Sequence, residues 1–344
     1  MPQQFVRISK YQALGNSYLV LDPRDIQSAV REAFEASPLG VQRPKADVVR
    51  RLCDMSTGIG SNGLLFGPLR LDGAFGVLVI NSDGTTAGFS GNGSRIFAQY
   101  LLDCGDIGYG QSLEVIIPQE HAARPPSMNF VPIRMPSDAN GVIEVTALHL
   151  PKFGAAAVNA GDALIPKPDH CGTPALRYLF PALANIGAKV TGQRAWDTSV
   201  MVEIGNPHCV TFVSDPRQLP NFNTLRECDD VLRPIAFRTG MAAAPFAEGA
   251  NLQWAWPETR TRLRLSIYER GEGPTAASGS SACAAACAAY ALDLVEGRVD
   301  VVMPGGTLAI SIDGPRTSIK SVTLAGFAAK TLDGVAILPS DAFN

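Results

Sequence analysis

The sequence predicts an α/β fold of the α+β type, built from two pseudo-symmetric lobes that each wrap strands around a central helix. Two observations predict this architecture. Short motifs recur once along the chain at a spacing near 190 residues, and each copy shows the same succession of strand, turn and helix. A chain of 344 residues is long enough for two domains with separate cores. We place the lobes at residues 1–150 and 151–344.

The repeat consists of three short matches that occur in the same order in both halves of the chain. Their spacing lies between 188 and 190 residues, so a single duplication accounts for all of them. The matched pairs are Gly15-Asn16 with Gly205-Asn206, Asn62 with Asn251, and Ser90-Gly91 with Ser278-Gly279. Each match alone is weak, but together they favour two lobes of common design.

The local pattern predicts a strand and then a helix in each lobe. Residues 75–81 (FGVLVIN) and 262–268 (RLRLSIY) are typical of strands, and the second alternates clearly between polar and apolar side chains. Residues 94–102 (SRIFAQYLL) and 281–293 (SACAAACAAYALD) fit helices. The second is dominated by alanine, the best helix former.

Two further segments predict loops. Residues 118–142 are rich in Pro, Ser and Ala, and residues 151–175 hold four prolines. Proline disrupts both helices and sheet ladders, so neither segment fits a regular element. The second segment follows the predicted lobe boundary, and we expect it to contain the connection between the lobes.

The composition excludes several classes of protein. The chain has 29 Lys and Arg against 32 Asp and Glu, so it lacks the basic surface typical of nucleic-acid binding. No stretch reaches the 18 to 20 apolar residues of a membrane span, and no apolar signal segment opens the chain. Seven cysteines without a CxxC pair suit reduced thiols, and we expect a cytoplasmic protein.

A serine followed by glycine precedes the predicted helix in both lobes. Ser90 and Ser278 are residue types that cap helices, and the free N–H groups of such a helix start can bind an anion. If both helix starts face one cleft between the lobes, they can hold a carboxylate between two opposed hydroxyl groups. Two opposed proton-transfer groups are the arrangement that inverts a stereocentre without a cofactor.

These motifs resemble the diaminopimelate epimerase family. The resemblance rests on ALGNSYLVLD, GIGSNGLL, INSDGTTAGFSGNGSR, IGNPHCVTFV, GANLQWA and YERGEGPTAASGSSACA, which occur in the family's order over nearly the whole chain. It implies an amino-acid epimerase or racemase of lysine biosynthesis that uses no cofactor and binds a small zwitterionic amino acid between two lobes. It also allows a homodimer.

The chain departs from the family at the two acid/base positions. Family members use a pair of cysteines there, and this sequence has Ser90 and Ser278. A hydroxyl is far less acidic than a thiol, so an unassisted serine is a poor base toward carbon. Either the protein diverged naturally or both cysteines were replaced by design. Ser281 and Pro274, where the family usually has Gly and Glu, favour natural divergence.

The resemblance also implies which residues surround the substrate. Glu269 and His208 are candidate catalytic helpers, with His208 either orienting Glu269 or acting as a base. A purely structural role for His208 stays equally open. The implied substrate-binding positions are Asn16, Asn81, Gly91, Asn92, Asn206, Asn251, Arg270, Gly279 and Ser280. Arg270 suits a distal carboxylate, because a guanidinium can bind both carboxylate oxygens. Turn and strand-end chemistry is the alternative explanation for these residues.

Other functions remain as alternatives or are disfavoured. A relative that binds an amino acid without inverting it, or a double-bond isomerase with a carboxylate base, would keep much of the same pocket. Residues 58–63 match G-x-G-x-x-G, but a helical pattern precedes them and a strand pattern follows, which is the wrong order for dinucleotide binding. Ser90 lacks the G-x-S-x-G context of a hydrolase, and no metal-ligand spacing occurs.

Overall fold

The computed structural model describes residues 4–26, 33–120, 125–153, 181–192, 195–196, 199–237 and 249–338. The chain divides into two compact units. The first unit comprises the chain up to Leu148 together with the chain from Ala325 onward, and the second unit spans His149–Leu324. None of the helices among the described residues is long and apolar enough to cross a membrane.

The elements follow one another in two similar series. The first half contains β1 (Gln4–Ala13), β2 (Asn16–Leu21), β3 (Phe34–Ala36), β4 (Gln42–Pro44), α1 (Ala46–Cys53), β5 (Gly63–Leu71), β6 (Ala74–Asn81), β7 (Thr86–Ala87), α2 (Gly91–Asp103), β8 (Ser112–Gln119), β9 (Ser127–Arg134) and β10 (Ile143–Thr146). The second half contains β11 (Lys152–Phe153), α3 (Pro181–Thr191), β12 (Ser199–Ile204), β13 (Asn206–Phe212), α4 (Phe222–Glu227), α5 (Asp229–Phe237), β14 (Asn251–Thr259), β15 (Arg262–Glu269), β16 (Gly273–Thr275), α6 (Gly279–Ala291), β17 (Arg298–Met303), β18 (Gly306–Asp313), β19 (Ser321–Gly326) and β20 (Ala329–Leu338).

The strand pairing has the same order in both units. In the first, β2 runs parallel to β5, β5 is antiparallel to β6, and β6 is parallel to β8. In the second, β13, β14, β15 and β17 repeat this sequence of parallel, antiparallel and parallel pairings. In each unit a tight hairpin precedes the series, turning at Gly15 or Gly205 with positive φ values of 82° and 76°. Glycine tolerates this backbone region, which explains the paired Gly-Asn motifs.

A further repeated feature lies just after the first parallel strand of each unit. Asp22 caps a 3-10 turn at Pro23–Asp25 and accepts hydrogen bonds from the Arg24 guanidinium. Asp215 does the same for the turn Pro216–Gln218 and for Arg217. This Asp-Pro-Arg match supports a duplication of the unit.

One helix lies at the centre of each unit. Ten residues of α2 and ten of α6 are buried, so these helices contact protein on nearly every side. Strands β1, β2, β5, β9, β10 and β20 pack on α2, and β12, β13, β14, β15, β17 and β18 pack on α6. Alanine fills most of the buried positions of α6 and lets the strands approach this helix closely. The predicted architecture of strands around a central helix is therefore confirmed.

The structure confirms the predicted strands and helices and corrects one predicted loop. The strands at 75–81 and 262–268 and the helices at 94–102 and 281–293 are confirmed, and α1 and β5 flank residues 58–63 in the expected order. The loop over 118–142 is wrong, because β9 lies within it and pairs with β8 from Ser112↔Arg134 to Gln119↔Ser127. Val131 and Ile133 are buried between exposed neighbours, a strand alternation that the prolines obscured. Most of the predicted loop over 151–175 lies outside the described residues.

The C-terminal strand differs from the predicted lobe division. β20 is antiparallel to β1 along almost its whole length, from Gln4↔Leu338 to Gln12↔Ala329. The second lobe was predicted to extend to residue 344, whereas the chain from Ala325 onward belongs to the first unit.

Candidate active site

Ser90 caps the first turn of α2 in the first unit. Its backbone is extended, and its hydroxyl accepts a hydrogen bond of 3.0 Å from the backbone N–H of Gly93. The first two N–H groups of the helix, those of Gly91 and Asn92, have no partner within the helix by its geometry. The helix dipole makes this end positive, so the turn is suited to hold a carboxylate beside the Ser90 hydroxyl.

Tyr18 places a second hydroxyl beside Ser90. The two oxygen atoms lie 3.3 Å apart, and Tyr18 is buried on β2. The ring occupies space left free by Gly63, where an added Cβ would lie 2.7 Å from a ring carbon and 2.6 Å from the carbonyl oxygen of Ile80. A larger residue at position 63 would displace the ring, so Gly63 keeps Tyr18 within reach of Ser90.

A buried arginine stabilises the same helix start. Arg95 is fully buried, and its guanidinium donates hydrogen bonds to the Asn92 side-chain oxygen and, at 3.3 Å, to the carbonyl oxygen of Gly91. The side chain of Asn92 is therefore engaged within the protein. Its backbone N–H, together with that of Gly91, remains the group suited to a ligand.

The two other predicted positions of the first unit differ from each other. Asn81 ends β6, and its amide donates to the Thr85 hydroxyl at 3.0 Å, which gives it a role in the turn. Asn16 begins β2, and its side-chain oxygen is buried without a hydrogen-bond partner among the described residues. A buried amide oxygen that lacks a partner costs free energy unless a ligand or water donates to it, so Asn16 fits a binding role.

Ser278 occupies the equivalent position in the second unit. It caps α6, accepting from the backbone N–H of Ser281 at 3.4 Å, and lies 3.4 Å from the Ser280 hydroxyl. The N–H groups of Gly279 and Ser280 are the first two of this helix and again lack partners within it. Both predicted serine caps therefore form as expected.

The carboxylate of Glu269 lies near the Ser278 hydroxyl, which acts to lower its pKa. Glu269 ends β15 and pairs with Gly273 of β16, the strand that precedes α6. Burial raises the pKa of Glu269 above its ordinary value. Interactions with the hydroxyls of Ser278 and Thr275 oppose part of that rise in pKa, and the nearby charge of Glu272 adds to it. A carboxylate with a raised pKa is a stronger base than an exposed one.

His208 is fully buried on β13, and its hydrogen bond goes to Gln253 rather than to Glu269. The ring Nδ1 lies 2.8 Å from the Gln253 side-chain amide, which also contacts the Ser281 hydroxyl at 3.0 Å. Burial, and to a lesser degree the charge of Arg270, lowers the pKa of His208 to about 3. The ring is therefore neutral over the physiological pH range and does not orient Glu269.

Two of the remaining predicted residues of the second unit are linked through the backbone. The Asn251 side-chain oxygen accepts a 2.8 Å hydrogen bond from the backbone N–H of Arg270, so Asn251 fixes the chain that carries the guanidinium. Arg270 is exposed, and its aliphatic part passes over Gly249. Asn206 is exposed at the start of β13 and needs no interior partner.

Three side chains at these sites were not predicted from the sequence. They are Tyr18 beside Ser90, Thr275 beside Glu269, and Gln253 beside His208. Gln253 carried a usable signal, since it is a single amide within the apolar strand LQWAW. A polar residue in a buried strand must find hydrogen-bond partners.

Solved structures share this fold over almost the whole chain. A hydroxyproline epimerase from Agrobacterium vitis, with bound trans-4-hydroxy-L-proline, aligns with a TM-score of 0.60 at 11% identity, covering 98% of this chain and 94% of the other. A PhzF-family phenazine biosynthesis protein of Bacillus anthracis aligns with a TM-score of 0.57 at 12% identity, covering 97% and 99%. These identities establish the fold alone.

Sequence relatives define the class as amino-acid epimerases, which are isomerases. Diaminopimelate epimerase 2 of Nostoc sp. is 30% identical over 319 residues, covering 89% of this chain and 88% of the relative. The diaminopimelate epimerase of Prochlorococcus marinus is 28% identical over 335 residues, covering 96% and 92%. The diaminopimelate epimerase family model itself matches residues 200–325. The chain belongs to the diaminopimelate epimerase family.

Proposed function

We propose that this protein is a cofactor-independent epimerase or racemase that transfers the α-proton of a small zwitterionic amino acid. Ser90 and Ser278 take the two proton-transfer positions. Diaminopimelate, or an amino acid of similar shape with a distal carboxylate, is the favoured substrate. Family membership and the names of the relatives support this assignment.

The proposal rests mainly on the nearness of the Ser278 hydroxyl to the carboxylate of Glu269, where it acts on the pKa of that carboxylate. A lone hydroxyl is too weak an acid to supply a useful alkoxide, but a hydroxyl that donates to a carboxylate can pass its proton on. As the Ser278 oxygen takes the α-proton, its own proton moves to the carboxylate of Glu269. The electron pair of the broken C–H bond enters the substrate carboxylate as an enediolate. The raised pKa of Glu269 favours this transfer.

The helix starts stabilise the charge that develops in this step. The N–H groups of Gly91 and Asn92, and those of Gly279 and Ser280, lie at the positive ends of buried helices. Donors fixed in this way bind the enediolate more strongly than the carboxylate ground state and lower the barrier. We assign Arg270, positioned by Asn251, to the distal carboxylate, and Asn16, Asn81 and Asn206 to the polar groups of the substrate.

The direct test is exchange of the α-proton in D₂O, followed by proton NMR with a panel of amino acids that includes diaminopimelate. We expect the α-proton signal of one panel member to disappear in the presence of the wild-type protein. Ser90→Ala and Ser278→Ala should each slow this exchange by about 10²-fold or more, because each removes one proton-transfer group. Full turnover in both variants would show that neither serine is required.

The same experiment separates the alternatives. Ligand-induced shifts without exchange for any panel member would identify a protein that binds amino acids without inverting them. Loss of activity in Glu269→Gln, with both serines dispensable, would indicate a carboxylate base acting in a double-bond isomerase. Wild-type exchange that requires both serines and Glu269 would support the proposal.

We further propose that the protein works in the reducing cytoplasm as a homodimer. All six cysteines within the described residues are free thiols, as a reducing compartment favours. Light scattering after size-exclusion chromatography measures the assembly. A single mass near 36.4 kDa would contradict the dimer.

A further inference from the structure

Gln253 forms the centre of a buried polar network in the second unit. Gln253, His208 and Ser281 are all completely buried, on β14, β13 and α6 respectively. The Gln253 side-chain oxygen accepts from His208 Nδ1 at 2.8 Å and from the Ser281 hydroxyl at 3.0 Å. Its nitrogen donates to the carbonyl oxygens of Asn251 at 3.2 Å and Cys209 at 3.1 Å.

This amide orientation is assigned from the hydrogen-bond network. The reverse orientation would direct the amide oxygen at two backbone carbonyl oxygens, which cannot donate. Only the assigned orientation pairs each acceptor with a donor. It requires the proton of the His208 ring to reside on Nδ1, because the Gln253 oxygen is an acceptor only.

The other ring nitrogen of His208, Nε2, then carries no proton and is a hydrogen-bond acceptor. Nε2 is buried and has no hydrogen-bond partner among the residues that the structure describes. Leaving a buried acceptor unpaired is unfavourable, so such atoms usually serve a ligand or an ordered water. Protonating Nε2 does not relieve this cost, since burial and the charge of Arg270 disfavour an imidazolium at this site.

We propose that Gln253 and Ser281 are positioning residues that hold His208 as the neutral, Nδ1-protonated tautomer, so that Nε2 accepts a hydrogen bond from the substrate's ammonium group. The identity of the ligand rests on the proposed function, while the tautomer and its cause do not. The electrostatics suit a zwitterion. The Arg270 guanidinium attracts a carboxylate, and a neutral imidazole accepts from an ammonium group that an imidazolium would repel.

Ser281 contributes a second donor to the Gln253 oxygen. Its hydroxyl extends from the first turn of α6 to the amide at 3.0 Å, at a position where the family resemblance leads us to expect glycine. Two donors on one oxygen fix the amide against a 180° rotation. The tautomer of His208 is therefore set from α6 as well as from β14.

The tautomer is measured in the free, full-length protein by long-range ¹H–¹⁵N NMR of its ¹⁵N-labelled histidines. The chain has four histidines, and the signals lost in His208→Ala identify the residue. We expect Nδ1 to show the shift of a protonated ring nitrogen and Nε2 that of a bare one at pH 7. A protonated Nε2 in the wild-type protein would overturn the inference.

Variants test the cause of this tautomer. Gln253→Met removes the acceptor at Nδ1 and should move both ring shifts toward a mixture of tautomers. Ser281→Ala, a milder change, should move them in the same direction by less. The matched control is Ser199→Ala, which removes the buried 2.7 Å Ser199–Thr211 hydrogen bond of the same sheet and should leave the His208 shifts unchanged. Wild-type shifts in both test variants would refute the positioning role.

Ligand titrations test the ammonium contact. Diaminopimelate should move the Nε2 resonance toward the hydrogen-bonded range, whereas pimelate, the same dicarboxylate without amino groups, should not. Gln253→Met should weaken diaminopimelate binding about tenfold and pimelate binding less than about twofold, the effect of one hydrogen bond to a charged donor. Binding without a change at Nε2 would refute the contact. Failure of diaminopimelate to bind would refute the substrate assignment and leave the tautomer result standing.

Discussion

The hydroxyl oxygens of Tyr18 and Ser90 lie 3.3 Å apart where α2 begins. Ser90 already accepts from the N–H of Gly93, so a bond to Tyr18 fixes the remaining direction of its hydroxyl group. A proton-transfer group works well only when its orientation is restricted before the substrate arrives. The contact therefore links a buried residue of β2 to the proposed chemistry at the start of α2.

Replacing Tyr18 by Phe tests this link. The variant keeps the ring and loses one hydrogen bond, so we expect the α-proton exchange rate to fall about 3- to 10-fold and stability to fall by about 1 kcal/mol. Tyr11→Phe is the matched control, because the Tyr11 hydroxyl donates to Asp103 at 2.7 Å within the same unit. The control should lose similar stability and keep its exchange rate. Equal loss of exchange in both variants would assign the effect to folding.

A substitution at Gly93 would displace Ser90. An added Cβ at position 93 would lie 3.1 Å from both the Cβ and the Oγ of Ser90, so Ser90 would have to shift by a few tenths of an ångström. We expect Gly93→Ala to lower exchange by about tenfold through this misplacement, measured as the initial rate in D₂O. Gly108→Ala, whose nearest neighbour atom would lie 3.7 Å away, is the control with no expected effect. Unchanged exchange in Gly93→Ala would show that the position of Ser90 is uncritical.

Elements with a clear periodicity of polar and apolar residues could be predicted from the sequence. Features that depend on pairing between strands far apart in the chain could not. The strand at 262–268 was predictable because Arg262, Leu263 and Arg264 alternate between exposed and buried sides. β20 was assigned to the wrong unit because its partner, β1, lies at the opposite end of the chain. No local pattern reports such a pairing.

In the candidate site, too, local features were predictable from the sequence and contacts between distant elements were not. Ser90 and Ser278 were predictable as caps, because a cap depends on residues within one turn of the helix. The network of His208, Gln253 and Ser281 joins two strands and a helix, and its hydrogen bonds could not be assigned before the fold was known. The contact between Glu269 and Ser278 depends in turn on the hairpin from β15 to β16.

Glu269 makes activity and stability respond to pH in opposite ways. Exchange requires the carboxylate form, so the rate should rise with pH through the raised pKa of Glu269 and then level off. The folded protein holds this proton more tightly than the unfolded chain, so the stability contribution of Glu269 is present at low pH. It is lost as pH rises from the ordinary value of 4.5 through the folded pKa.

Glu269→Gln separates these two effects. We expect exchange to fall by about 10²- to 10⁴-fold, because the amide cannot accept the proton. The variant should also have a higher melting temperature than the wild type at pH 7, where the wild type buries a carboxylate, and no such advantage at pH 4. Calorimetry at the two pH values measures this difference. A variant that is less stable than the wild type at pH 7 would show that the interaction of Glu269 with Ser278 outweighs the cost of burial.

Restoring thiols at both serine positions tests whether the hydroxyl groups limit the rate. A thiol has a pKa near 8.5 and is easily converted to a thiolate at a helix start, where the dipole favours negative charge. The double variant Ser90→Cys/Ser278→Cys keeps the positions of the reacting atoms and changes their acidity. We expect α-proton exchange with diaminopimelate to rise about tenfold or more over the wild type. The exchange rate of each single cysteine variant should lie between those of the wild type and the double variant, since inversion needs both groups.

A double variant whose exchange rate does not rise, although it binds the substrate as the wild type does, would mean that the pocket has diverged beyond its two acid/base positions. The carboxylate of Glu269 would then be the base that sets the rate.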